Sequence, residues 1–135
     1  LLSAAGLAAV VLSGCSTFGS VGDQDTVDAS TEAASQLQDR FEDLPGVALA
    51  EVRYQDDLTV GAQLRAAVEV EVGTDVQFTL DAVEEACWRS EVDPLDELVI
   101  VVSTRTEPLT SETRSYDLDI GADVSGLTER WGERP

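Results

Sequence analysis

Two thiols and 27 carboxylates are the groups with which this chain of 135 residues could do chemistry, because it holds no histidine and its 8 basic residues are all arginine. Without histidine, the commonest general base, the usual partner of a Ser or Cys nucleophile and the commonest metal ligand are missing. Without lysine there is no Ser-Lys dyad, no Schiff base and no P-loop. Carboxylates and the sulfurs of Cys15 and Cys87 remain. Cys87 falls on the apolar face of a predicted helix, with no lysine or histidine to lower its pKa, and reads as a small core residue. Asp56 and Asp57 in a predicted turn, and Asp93, Asp96 and Glu97 ahead of a predicted strand, offer oxygens for Ca²⁺. Neither group has the glycine and alternating carboxylates of an EF-hand loop, so both read as solvated turn residues. Acid pairs for glycoside hydrolysis exist by number alone in so acidic a chain, but aromatic residues, at 5%, are few for a sugar cleft. The sequence therefore predicts no catalytic residue, no metal site and no cofactor.

The formal net charge of −19 repels phosphate backbones and anionic lipid headgroups, which excludes nucleic acid as a partner. A chain of this charge could stay disordered, yet 43% of its residues are hydrophobic and they recur with clear periods, which argues for a packed core.

The elements that would position any site follow from those periods. Ala34, Leu37, Phe41 and Leu44 recur at the spacing of one helix face, and Pro45-Gly46 ends that helix. Ala48, Ala50, Val52 and Tyr54 alternate with Leu49, Glu51 and Arg53, the period of a strand. A second strand is the clearest: Leu64, Ala66, Val68, Val70 and Val72 point one way, Gln63, Arg65, Glu69 and Glu71 the other. Thr74 and Gln77 form a capping-box pattern, after which Val76, Leu80, Val83 and Cys87 keep helical spacing through Trp88. Asp93-Pro94 breaks that helix. Residues 98–102 are apolar on both faces of a third strand. Tyr116, Leu118 and Ile120 alternate in a fourth, and a short last helix follows, capped by Asp123 or Ser125, with Val124, Leu127 and Trp131 on one face. The expectation is a single α+β domain over residues 28–135, a four-stranded, mostly antiparallel sheet with helices on one face. Its α-β-β-α-β-β-α order is a circular permutation of the ferredoxin-like arrangement. That permutation would put the third strand at an edge, whereas its two-faced apolar run asks for a central position or a covered edge.

If helices cover one face only, the other is the candidate interaction surface. It would carry Arg53, Arg65, Glu69, Glu71 and Asp117, with Val99 and Val101 between them. Trp88 and Trp131 sit at the edges of predicted helical faces, where core packing competes with a role on a partner surface.

The start of the chain gives an address. Residues 1–12 carry no charge and are mostly Leu, Ala and Val. The run is too short to span a bilayer and fits the apolar region of a signal peptide. It ends in Leu12-Ser13-Gly14-Cys15, which resembles the bacterial lipobox. That resemblance implies a signal peptide over residues 1–14, cleavage between Gly14 and Cys15, and a diacylglycerol on the Cys15 thiol. Residues 16–27 are small, polar and glycine-containing and read as a tether of roughly 40 Å at full extension. One acyl chain anchors only marginally, at ~0.8 kcal/mol per buried methylene, and a diacyl group supplies the second. The mature region, with Leu44-Pro45-Gly46-Val47, the Trp88-Arg89-Ser90-x-x-x-Pro94 segment and a terminal WGERP, resembles small lipoproteins of unknown function from high-GC Gram-positive bacteria. Together these features predict a lipid-anchored domain on the extracytoplasmic face of the cell membrane, binding or helping to assemble an envelope protein. The alternatives are a carboxylate-based envelope enzyme and a small-ligand or metal-binding sensor; either requires convergent acids in a concave pocket.

Overall fold

The structure, a computed structural model, describes residues 24–59 and 61–135. Seven elements follow one another: α1 (Gln24–Glu42), β1 (Val47–Asp57), β2 (Gly61–Val70), α2 (Val76–Trp88), β3 (Glu97–Thr104), β4 (Ser111–Asp117) and α3 (Gly121–Trp131). They make an α+β fold in which the helices pack on a four-stranded mixed sheet. Helix α1 begins at Gln24, so residues 24–27, expected in the tether, are helical, and the domain starts earlier than residue 28.

The sheet order is β1-β2-β3-β4. β1 and β2 pair antiparallel, as do β3 and β4, while β2 and β3 pair in parallel. A parallel pair needs a crossover connection, and α2 provides it. This order differs from the permuted ferredoxin-like arrangement: β3 is internal, as the apolar run on both its faces asked. Leu98, Ile100 and Val102 are completely buried on one side, and Val99 and Val101 are half-buried on the other.

Alternation in the strands sorts the faces. Ala50 and Val52 from β1, Leu64, Ala66, Val68 and Val70 from β2, and Leu98, Ile100 and Val102 from β3 form the floor of the core. Onto it α1 sets Ala34, Leu37 and Phe41, and α2 sets Leu80, Val83, Ala86 and Cys87. Burial of such side chains, at about 1.5–3 kcal/mol each, is the main force holding helices to sheet. The Ser30 hydroxyl fastens the first half of α1, donating to the Asp93 carbonyl at 2.9 Å and accepting from its N–H at 3.1 Å. Gly46 takes φ +78° where α1 turns into β1, and a Cβ there would collide with the Thr74 side chain.

Three boundaries differ from the sequence reading. Helix α2 is capped by Asp75, whose carboxylate accepts from the Phe78 N–H at 3.1 Å; Thr74 is not the cap, and the Gln77 side chain turns to β4. β2 ends at Val70, which leaves Val72 exposed. β4 lies earlier than expected, so Leu118 and Ile120 fall in the turn before α3. The polar run of residues 111–115 forms a strand because β4 is an edge paired to one neighbour, and its register with β3 outweighs its weak alternation. Asp123 does not cap its own helix by side chain; it accepts from the Asp117 N–H at 2.9 Å.

Candidate functional site

The three helices leave one face of the sheet uncovered, and the register orders its side chains into rows. Gln55, Gln63, Glu97 and Asp117 form one row across β1 to β4; Arg53, Arg65, Val99 and Ser115 the next; Glu51, Ala67, Val101 and Thr113 the third. Leu49, Glu69, Ser103 and Ser111 complete the face, with Leu49 53% exposed. The expected interaction residues Arg53, Arg65, Glu69, Val99 and Val101 are thus brought together on one surface, and Asp117 lies at its far edge. Glu71 falls just beyond β2, with a carboxylate oxygen 4.0 Å from Arg105.

The face is mixed in character. Arg53 and Arg65 stand directly opposite each other, and the Arg53 guanidinium is ion-paired with Glu51 on its own strand. Between the two strands runs a groove of about 510 Å³, lined by Glu51, Arg53, Gln55, Gln63, Arg65 and Ala67. Ala67, Val99 and Val101 form a half-buried apolar strip beside the arginines. Acids stand around this centre: Glu51, Glu69, Glu97 and Asp117. Such a surface can recognise charge and shape, but it holds no enclosed, desolvated group that would do acid–base work.

Both tryptophans lie away from this face, which corrects their assignment to an interaction surface. Trp88 is 2% exposed and donates its indole N–H to the Gly132 carbonyl at 2.7 Å, with the Arg134 guanidinium over its ring. Trp131 is half-buried and donates to Glu84 at 2.7 Å. Both indoles are used to hold α3 and the C-terminal residues against α2.

A second cluster, which the sequence reading missed, lies on the helix side. Glu84 of α2 is completely buried, yet each of its oxygens is engaged. One accepts from the Tyr116 hydroxyl and from Arg114 at 3.4 Å. The other accepts from Trp131 and pairs with Arg130 at 2.9 Å. Arg114 also reaches Asp81 at 2.8 Å and Gln77 at 3.2 Å. Burial, then the hydrogen bond to Glu84, holds the Tyr116 hydroxyl above the usual phenol range. For Arg114, burial alone would lower the guanidinium, but the Asp81 hydrogen bond and the Glu84 charge outweigh it and the net shift is upward. Two arginines, a phenol and an indole thus occupy both oxygens of this carboxylate. Its role is to join α2, β4 and α3. Gln77, Asp81 and Glu84 share a helix face at spacings of 4 and 3, which was visible in the sequence. Their partners lie 30 to 47 residues away, which was not.

Cys87, Asp57 and Asp96 have structural roles. Cys87 is completely buried, and desolvation pushes its thiol up to about 12. Asp57 accepts from the Thr59 N–H at 2.8 Å, as a turn residue does, whereas Asp96 accepts from the Ala62 N–H at 2.9 Å and ties the start of β3 to the start of β2. Among the described residues no group of three or more His, Cys, Asp or Glu is placed to hold a metal ion, and no helix is long and apolar enough to cross a membrane. Gly14 and Cys15 lie outside the described residues. No protein-family model, curated protein or solved structure matches this chain.

Proposed function

We propose that the chain is a lipid-anchored domain at the bacterial cell envelope, attached to the membrane through Cys15, and that its uncovered sheet face docks an envelope protein. The observation that carries docking is that face, where charged, amide and half-buried apolar side chains lie in register across four strands and none of the three described helices covers them. The anchor rests on Leu12-Ser13-Gly14-Cys15 and the apolar run before it. Cys15 precedes Gln24 by nine residues, a reach of at most ~30 Å. The tether would join the domain at the end where Ser30 meets Asp93, and that end would lie nearest the bilayer. The role is binding rather than catalysis, because the buried carboxylate of the described residues, Glu84, is saturated by its own neighbours.

Two experiments on the full chain test the two halves of this reading. Intact mass of the membrane-extracted protein should match a chain beginning at diacylated Cys15, and Cys15→Ser should lose the modification; an unmodified Cys15 overturns the anchor. A photocrosslinker at Val101, on the uncovered face, should capture one discrete envelope protein, whereas the same group at Ser35, on the exposed side of α1, should not. Equal capture from both positions, or capture from Ser35 alone, overturns the docking face.

A further inference from the structure

Two arginines face each other in a chain where acids outnumber arginines 27 to 8. Arg53 and Arg65 are direct cross-strand partners. Side chains so placed have Cβ atoms about 4.5–5.5 Å apart, and like charges there work against strand pairing. Glu51 compensates Arg53 from its own strand. Arg65 has Arg53 on one side and Val99 on the other, and takes no acidic partner among the described residues. Of the other arginines, Arg89, Arg105, Arg114 and Arg130 each meet a carboxylate and Arg134 meets main-chain carbonyls. Arg40, like Arg65, takes no acidic partner among the described residues, but it has no like charge facing it across a strand pair. The Arg53–Arg65 pair is therefore poorly accounted for by the stability of the isolated domain.

We propose that Arg65 and Gln63 form a clamp for a carboxylate, with Arg53 held beside them by Glu51, and that the partner docked on this face is a protein segment presenting one acidic side chain beside an apolar one. The proposal rests on the reading of the uncovered face as a docking surface and adds the partner's chemistry to it. Planar guanidiniums match a carboxylate with paired, charge-assisted hydrogen bonds. The next row supplies Gln63, whose amide can donate to the same group, while the Gln55 amide already donates to Asp57. On the other side Ala67, Val99 and Val101 offer the apolar strip over which a neighbouring aliphatic side chain would lie. The acids around this centre, Glu51, Glu69, Glu97 and Asp117, restrict what fits: a single carboxylate is drawn to the clamp, while a run of acids meets repulsion at every edge. A second copy of the chain is disfavoured, because each copy carries a charge of −19.

The test uses the full chain carrying Cys15→Ser, immobilised, and a phage-displayed library of random heptapeptides. Selected peptides should share an Asp or Glu next to Val, Ile or Leu. A synthetic peptide of that sequence should bind about tenfold more weakly when its acid is changed to the amide, the loss of roughly one charge-assisted contact. Arg65→Glu, checked for retained fold by circular dichroism, should no longer select it. Selection of acid-free peptides that is lost in Val101→Arg would overturn the clamp while keeping the docking face. Selection indifferent to both Arg65→Glu and Val101→Arg, or no selection by the unaltered chain, would overturn the docking face itself and the clamp with it.

Discussion

On the helix side of the sheet, Glu84 is sealed from water with Arg114, Arg130, Tyr116 and Trp131 around it. On the other side, Arg53 and Arg65 stand together in solvent with one acid between them. Both places concentrate charge, but only the first balances it. A buried ion pair must recover the cost of desolvation through geometry, and it does so only if every lone pair and N–H is used. An exposed pair is under no such pressure: water and salt screen it, and a mismatch costs a few tenths of a kcal/mol. The contrast separates what holds this domain together from what it can offer to another molecule. Charge satisfied internally is already committed, whereas charge left unmatched on an open face can still be used by a partner.

The largest effect should come from breaking the sealed side. Glu84→Ala leaves Arg114 and Arg130 without their shared carboxylate, but both are partly exposed and Arg114 keeps Asp81. Urea unfolding should therefore show a loss of about 2–3 kcal/mol, from the lost hydrogen bonds and packing. A loss under 1 kcal/mol would mean that the cluster opens to water and that the contrast between the two sides is false. Trp131→Phe keeps most of the packing but removes the indole donor to Glu84. A loss of about 1.5–3 kcal/mol is expected, the worth of a hydrogen bond to a charged group.

Alkali sharpens the same comparison. The folded chain holds the Cys87 proton up to about 12, above the range in which an unfolded thiol loses it. Folding therefore favours the protonated form. Its contribution is complete below about pH 8.5 and is lost as pH rises toward the folded value, by up to ~1.4 kcal/mol per pH unit. Tyr54 and Tyr116, also raised mainly by burial, add to the loss at higher pH. Cys87→Ala should flatten the early part of that slope in unfolding measured from pH 8 to 11. A thiol reagent at neutral pH should leave Cys87 untouched while labelling Ser115→Cys on the open face at once; rapid labelling of both would show that the covered side is not sealed.

How far the sequence revealed these two sides depends on the kind of signal each element carries. Alternation over residues 62–70 named the inner and outer faces of β2 correctly, and with them Arg65 and Glu69 on the uncovered side, because the period of a strand is a local property. Arg53 followed in the same way, whereas Val99 and Val101 lie in a run apolar on both faces, where the period pairs them but does not say which face is outward. The order of the strands did not follow, since the ferredoxin-like permutation and the observed order differ only in which neighbours pair. The apolar run of residues 98–102 was the one local hint that β3 is internal. Glu84 was illegible for a related reason: an acid on a helix looks solvated until Arg114, Tyr116, Arg130 and Trp131 arrive from elements far along the chain. Trp88 was legible only as a large apolar side chain, and burial decided against the surface role.

The smallest expected effect tests the central claim most directly. Arg65→Thr removes half of the like-charged pair and places a strand-favouring residue on β2, so the free energy of urea unfolding, measured on the full chain with Cys15→Ser as reference, should stay within about 0.5 kcal/mol or rise by up to about 1 kcal/mol. That result would show that the fold does not need Arg65, as the docking account requires. A loss of more than about 1 kcal/mol would make the arginine pair a structural feature of the sheet and contradict the division of labour between its two sides.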